Sequence, residues 1–256
     1  MILNIDAACG SFIGNGRGTN EDNFYFNKKH LPANNKGMKN PLKYAGNTAE
    51  GLMFAVFDGM GGEVNGEEAS SVACQVFSEE FKKMDEIVLS GKEFFLRTCQ
   101  KANDEVNRIS EEKKIGTMGT TVAALYLTQD EVVACNLGDS KIFRIRQNQM
   151  IQISEDHTDA KIMSSMGVEK KPVLLQFIGI PNNEMMIEPF ISKGELQGDD
   201  AYVICSDGVT DVLGVEEIYD IVSKNDANDS VNYLLAEVNK KDGSDNATII
   251  VMKVSE

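Results

Sequence analysis

Hydrophobic runs of strand length recur along this chain, separated by polar, glycine-rich turns. Residues 52–58, 131–137, 200–206 and 246–253 are nearly continuous apolar stretches, the pattern of strands covered on both faces. Further strands are expected at residues 2–9, 23–27, 119–127, 141–146, 149–153 and 185–192. A helical period appears twice in succession. Ala69, Val72, Ala73, Val76, Phe77, Phe81 and Met84 mark a helix over 67–84, and Phe95, Cys99, Ala102, Val106 and Ile109 mark one over 92–110. Two more helices fit 215–223 and 229–239. The first two strands look joined by the turn Gly14-Asn-Gly-Arg-Gly18, and residues 28–50, with Pro32, Gly37, Pro41 and Gly46, read as a polar surface loop within a hairpin. Residues 157–183 are mixed in character. Strands come first, then two helices, then strands again, then helices and a final strand. That order is not the regular alternation of a doubly wound fold. It predicts an α+β fold with antiparallel sheets covered by helices, in one domain over residues 1–256.

Charge narrows the function. The 256 residues carry a formal net charge of −15, which opposes the basic footprint of a nucleic-acid binder and disfavours anionic lipid surfaces. The N-terminus, Met1-Ile-Leu-Asn-Ile-Asp6, lacks the basic and apolar regions of a secretion signal. No run approaches the roughly 18 apolar residues of a membrane span. A cytoplasmic protein, with no nucleic-acid and no membrane partner, is expected. Cys9, Cys74, Cys99, Cys135 and Cys205 show no C-x-x-C spacing, and buried reduced thiols are expected. The residues six positions after them are Asn15, Glu80, Glu105, Lys141 and Asp211. None is the arginine that a cysteine-based tyrosine-phosphatase loop requires.

The chemistry sits at the strand ends. Asp58, Asp139 and Asp207 follow apolar runs and Asp245 precedes one; Gly59, Gly138 and Gly208 adjoin the first three. Each alone reads as a turn or a cap. Together they predict carboxylates converging on one rim, where they repel unless a cation neutralises them. Histidine is nearly absent: His30 lies in the polar loop, and His157 is expected to hydrogen-bond locally after a strand. The usual His/Cys zinc site is therefore disfavoured, and an all-oxygen set favours Mg²⁺ or Mn²⁺. Arg17, shortly before Glu21 and Asp22, offers a guanidinium to grip a phosphoryl group from the side opposite the metals. No Walker-type phosphate loop and no complete G-x-G-x-x-G is present.

Seven segments in order then carry a resemblance: Arg17-Gly-Thr-Asn-Glu-Asp22-Asn23, Phe57-Asp-Gly-Met-Gly-Gly62, Gly116-Thr-Met-Gly-Thr-Thr121, Asn136-Leu-Gly-Asp-Ser140, Asp156-His-Thr158, Cys205-Ser-Asp-Gly-Val-Thr-Asp211 and Asp245-Asn-Ala-Thr248. The chain resembles the metal-dependent serine/threonine protein phosphatases of type 2C, the PPM family, in its bacterial form. The resemblance implies a four-layer α/β/β/α sandwich with two central antiparallel sheets flanked by helices. It implies two Mn²⁺ or Mg²⁺ ions at one end of the sheets, with a weaker third site. Asp58 would bridge both ions, and Gly59 would offer its carbonyl. Asp207 and Asp245 would complete the ligand set of the second ion, Asp22 would stand beside the first, largely through waters, and Asp139 with Asp207 matches the third site. Arg17 matches the phosphate-binding arginine, with Glu21, Asp211 and Asn246 in supporting positions. The partners implied are phosphorylated proteins, substrates of a serine/threonine kinase, and the chain is expected to be a monomer.

Three departures stand out. Met60 replaces the histidine proposed as a general acid in many eukaryotic members, Lys141 replaces an arginine, and residues 158–183, the flap beside the site, lack the familiar basic residues. The expected reaction is hydrolysis of phosphoserine and phosphothreonine by a metal-activated water, with no covalent intermediate. The alternative is a catalytically weak phosphoprotein-binding regulatory module of the same fold. A hydrolase of another phosphoester is a further rival.

Overall fold

The computed structural model describes residues 2–60, 65–84, 89–168 and 170–256. Two sheets form its centre. One orders as β10 (Gln149–Gln152), β9 (Lys141–Arg146), β12 (Ala201–Cys205), β13 (Ala247–Ser255), β1 (Asn4–Phe12) and β3 (Leu42–Asn47). The other orders as β11 (Phe190–Glu195), β8 (Glu131–Leu137), β7 (Val122–Leu127), β4 (Leu52–Phe57) and β2 (Asn23–Phe26). Every pairing is antiparallel. A short ribbon joins β5 (Gly59–Met60) to β6 (Gly119–Thr120). The helices are α1 (Gly66–Lys82), α2 (Gly91–Lys113), α3 (Ala160–Ser165), α4 (Asp207–Thr210), α5 (Val215–Lys224) and α6 (Ala227–Lys241).

The near-continuous apolar runs follow from the layering. Phe24, Phe54, Val56, Ile204, Ile250 and Met252 fill the space between the sheets. Alternate residues point the other way: Val203, Ile249 and Val251 pack under Ile218, Val231 and Leu234 of α5 and α6. On the opposite flank Phe57, Ala124 and Cys135 meet Phe77, Phe95 and Cys99 of α1 and α2. A strand with both faces covered has no solvent side on which to place polar residues. The result is the four-layer α/β/β/α sandwich. Local signals fix the helix ends. At α2, Ser90 Oγ accepts from Glu93 N at 3.3 Å while Ser90 N donates to Glu93 Oε2 at 3.0 Å, a reciprocal capping box.

Several expectations require correction. The strands at 2–9 and 23–27 do not form a hairpin: β1 pairs with β13 and β3, and β2 pairs with β4 in the other sheet. The polar stretch 28–50 contains β3, whose alternating exposure suits an edge strand. The strand expected at 185–192 lies at Phe190–Glu195, and the run at 119–127 breaks at Thr121, where the chain leaves the ribbon for the sheet. All five cysteines are buried and free. Among the described residues no helix is long and apolar enough to cross a membrane.

A buried ion pair closes the end of the six-stranded sheet away from the strand-end aspartates. The Asp200 carboxylate is fully enclosed; Arg146 Nε and Nη2 donate to its two oxygens at 2.6 and 2.7 Å, and Tyr202 Oη donates at 2.9 Å. Removing one partner strands a buried charge. Arg146→Ala is expected to lower unfolding stability by about 3–5 kcal/mol. Urea denaturation checks this, and a loss below ~1 kcal/mol would show that Asp200 is solvated without Arg146.

Candidate active site

Strand register brings the separated aspartates together. Asn23 pairs with Phe57, which places Asp22 and Asp58 side by side at the rim of the five-stranded sheet. In the other sheet Cys205 pairs with both Ile249 and Lys141. Asp207, just beyond Cys205, is thereby set between the chain entering β13 from Asp245 and the chain entering β9 from Asp139. Val122 pairs with Leu137, so Thr121 stands beside Gly138. Five carboxylates from different strand ends thus share one rim.

There they surround a cleft of about 220 Å³ lined by Arg17, Glu21, Asp58, Gly59, Met60, Thr121, Asp139, Lys171, Pro172, Leu174, Asp207, Asp245 and Asn246. Asp22 lies just beneath it, 1% exposed. A larger hollow of about 540 Å³, ringed by Tyr25, Tyr44, Phe81 and Tyr126, lies toward the far ends of β2 and β4, and among the described residues Glu50 is the one carboxylate that lines it.

The backbone holds the carboxylates in place. Asp58 N donates to Thr121 Oγ1 at 3.1 Å, and Asp58 O accepts from Thr121 N at 2.8 Å and from Thr120 Oγ1 at 2.9 Å. Gly59 N donates to Glu21 O at 3.2 Å. A Cβ at Gly59 would lie 2.2 Å from Gly66 O and 2.5 Å from Glu21 O, and one at Gly208 would lie 2.0 Å from Asn246 O. Only glycine fits either position. Asn246 ties the turn before β2 to the site: its Oδ1 accepts from Glu21 N at 2.8 Å, and its Nδ2 donates to Ile13 O at 2.6 Å. Under Asp22 runs a buried polar chain. Ser206 Oγ donates to Asp22 Oδ2 at 2.8 Å and accepts from Thr248 N at 2.9 Å, and Thr248 Oγ1 meets Ser11 Oγ at 2.8 Å.

Crowding shows in the proton affinities. Burial pushes the Asp22 carboxyl up to about 7; Asp207 and Asp245 add to the rise, and the hydroxyls of Ser206 and Thr248 oppose it. Burial also drives Asp58 well above the usual carboxylate range, reinforced by Asp22, Asp207 and Asp139 and by a hydrogen bond shared with Asp207. Asp139 is raised to about 6 by burial and by Asp207, against the pull of Lys141. Glu21 is raised by burial and Glu67. Each shift has the sign expected of buried carboxylates crowded by like charges.

The cations present are few. Arg17 Nη2 is 2.7 Å from Asp245 Oδ1, and its Nε donates to Ser244 O at 3.3 Å. Lys171 Nζ stands 3.3 Å from Asp207 Oδ2 and 3.1 Å from Asp211 Oδ2. Among the described residues no three His, Cys, Asp or Glu groups are drawn tightly enough to hold an ion as they stand. Three observations nevertheless fit a hard divalent cation. The donors are all oxygen. Asp22 Oδ1 is buried without a hydrogen-bond partner. The ammonium of Lys171 already stands in for positive charge at Asp207. Water and the Gly59 carbonyl would complete a shell that the carboxylates begin.

Of the residues singled out from sequence, Arg17, Glu21, Asp58, Gly59, Asp139, Asp207, Asp245 and Asn246 line the cleft, and Asp22 lies directly below. Asp211 stands at its edge, exposed and paired with Lys171. Gly61 and Gly62, the end of the Asp58 motif, lie outside the described residues. His157 is structural, accepting from Gly138 N at 3.2 Å through Nδ1. Two features were missed. The flap, expected to lack the familiar basic residues, does bring one into the site, Lys171. Ser206 and Thr248, present in the motif segments but given no role there, carry the hydrogen bonds under Asp22.

Comparison with known proteins identifies the family and the fold. A family model described as protein phosphatase 2C matches residues 42–247. The serine/threonine phosphatase stp of Listeria monocytogenes is 27% identical over 211 residues, covering 77% of this chain and 82% of that protein. Protein phosphatase PhpP of Streptococcus pneumoniae is 25% identical over 221 residues, covering 82% and 89%. In fold, the catalytic domain of the serine/threonine protein phosphatase PstP, solved with two manganese ions, superposes with a TM-score of 0.77 at 23% identity over the whole of both chains. The S. agalactiae serine/threonine phosphatase gives 0.80 at 21%, covering 98% of this chain and 100% of that one. The chain belongs to the protein phosphatase 2C family.

Proposed function

We propose that this chain is a metal-dependent protein phosphatase that hydrolyses phosphoserine and phosphothreonine in protein substrates. The observation that carries this reading is the meeting of Asp58, Asp139, Asp207 and Asp245 around one cleft with Arg17 on its edge. Membership of the protein phosphatase 2C family supports it.

Asp58, Asp207, Asp245 and the carbonyl of Gly59 would hold two Mn²⁺ or Mg²⁺ ions, with Asp22 beneath and Asp139 with Asp207 forming a weaker third position. The chemistry such ions bring is a water acidified enough to attack phosphorus near neutral pH, together with neutralisation of the phosphoryl oxygens. The chain's own residues do the rest. Arg17 is 45% exposed in its side chain and reaches the cleft edge, where its planar fork donates to phosphoryl oxygens as charge spreads over them. Thr120 and Thr121 fix Asp58, and Ser206 orients Asp22. Met60 lines the cleft without a proton to give, so the proton for the leaving serine or threonine oxygen comes from water or another donor. The net charge of −15 repels an anionic substrate, and local positive charge must reverse that field at the mouth. Five buried free thiols suit a reducing compartment, and we place the protein in the cytoplasm, as a monomer, opposing a serine/threonine kinase.

Asp207→Asn is expected to reduce Mn²⁺-dependent phosphate release from a phosphoserine peptide by at least about 100-fold, with the circular dichroism spectrum unchanged. Activity at the wild-type level would remove Asp207 from the site. Arg17→Ala is expected to raise KM about tenfold with a smaller change in kcat. Steady-state kinetics on the same peptide decides, and an unchanged KM would separate Arg17 from the substrate.

A further inference from the structure

Lys171 is the cation in the cleft for which the phosphatase reaction above has no use. It lies in the connection between α3 and β11, and that connection is fastened down beside it. Val173 N donates to Asp159 Oδ1 at 2.7 Å, Asp159 N donates to Val173 O at 3.1 Å, and Leu175 N donates to His157 O at 2.8 Å. Thr158 and Leu174 form an isolated antiparallel bridge. Pro172 and Leu174 line the cleft with Lys171. The ammonium is therefore delivered by a strap pinned on its far side.

What it reaches is a carboxylate in the midst of the cluster. Asp207 neighbours Asp22, Asp58 and Asp139, each of whose proton affinity it raises. The other nearby cations are engaged elsewhere: Arg17 with Asp245, and Lys141 with Asp156. Lys171 Nζ stands 3.3 Å from Asp207 Oδ2, in direct ion-pair contact with an oxygen that would otherwise be open to a divalent ion. Two cations cannot share one carboxylate oxygen at contact distance without strong repulsion. The lysine side chain is 67% exposed, so its flexible stem can swing out to solvent or rest on Asp211 alone.

We propose that Lys171 is a built-in counter-ion that competes with a divalent cation for Asp207. With the strap's ammonium in place, the carboxylate is partly neutralised without metal. Entry of the ion at Asp207 displaces Lys171. By linkage, Lys171 weakens the ion's binding by the same factor by which the ion weakens the hold of Lys171. Metal occupancy and the position of the Lys171 side chain in the cleft thus become one equilibrium. The inference rests on the metal-dependent function proposed above.

Calorimetric titration of Mn²⁺ into the metal-free wild-type protein, Lys171→Gln and Lys171→Arg tests it, with Asp207→Asn identifying the binding component that depends on Asp207. In Lys171→Gln that component is expected to tighten about three- to thirtyfold, the range set by an exposed to partly buried ion pair. Lys171→Arg, which keeps the charge, is expected to stay within about twofold of wild type. Unchanged affinity in Lys171→Gln overturns the proposal, as does an equal gain in Lys171→Arg, which would make the effect one of shape. Unchanged affinity together with a raised KM for a phosphopeptide would likewise overturn it and assign Lys171 to substrate. If neither wild type nor Lys171→Gln binds Mn²⁺, the metal-dependent function itself falls, an outcome distinct from the other three.

Discussion

Repulsion among carboxylates at one sheet rim is the constraint on which the rest of this structure turns. Two like charges ~4 Å apart at an effective dielectric of about 20 repel by about 4 kcal/mol. A typical hydrogen bond returns only about 0.5–1.5 kcal/mol net. Hydrogen bonds alone therefore cannot hold Asp22, Asp58, Asp139 and Asp207 together as anions. Protons or cations must accompany them. The raised affinities of Asp22, Asp58 and Asp139 are the proton half of that answer. Arg17 and Lys171 are a partial cationic half. The deficit that remains is the physical case for divalent ions in this cleft.

The fold supplies the rigidity that such crowding demands. Each aspartate sits at the end of a strand whose two faces are packed, so it cannot retreat without disturbing a core. The antiparallel register alternates strand starts and strand ends along the rim. This is why Asp22 and Asp245, which precede strands, meet Asp58, Asp139 and Asp207, which follow them. Glycines at 59 and 208 let neighbouring backbone approach closely enough to close the arrangement. The buried hydroxyl chain of Ser206, Thr248 and Ser11 carries order from the site into the space between strands.

Much of this was legible before any coordinates. The near-continuous apolar runs at 52–58 and 246–253 marked doubly covered strands, observed at Leu52–Phe57 and Ala247–Ser255, and Asp58 and Asp245 beside them marked the rim. Sheet membership was not legible. β1 and β2 are close in sequence and separated by a glycine-rich turn, yet their partners are β13 and β4, because long-range pairing rather than the turn decides the sheet. β3 was hidden because an edge strand with alternating exposure resembles a polar loop. Lys171 was hidden for a different reason. A lone lysine in a mixed segment has no period and no motif, and its meaning appears only when the Thr158–Leu174 bridge carries it back over the cleft.

The central claim is that carboxylates distant in sequence cooperate to hold paired cations. Anomalous diffraction at the manganese edge from crystals grown with Mn²⁺ tests it most directly. The account predicts two strong peaks in the cleft, both within ligand distance of Asp58, with Asp207 and Asp245 on one of them. Crystals that show no peak there, or ions bound only at acidic surface patches away from Asp58, would contradict it.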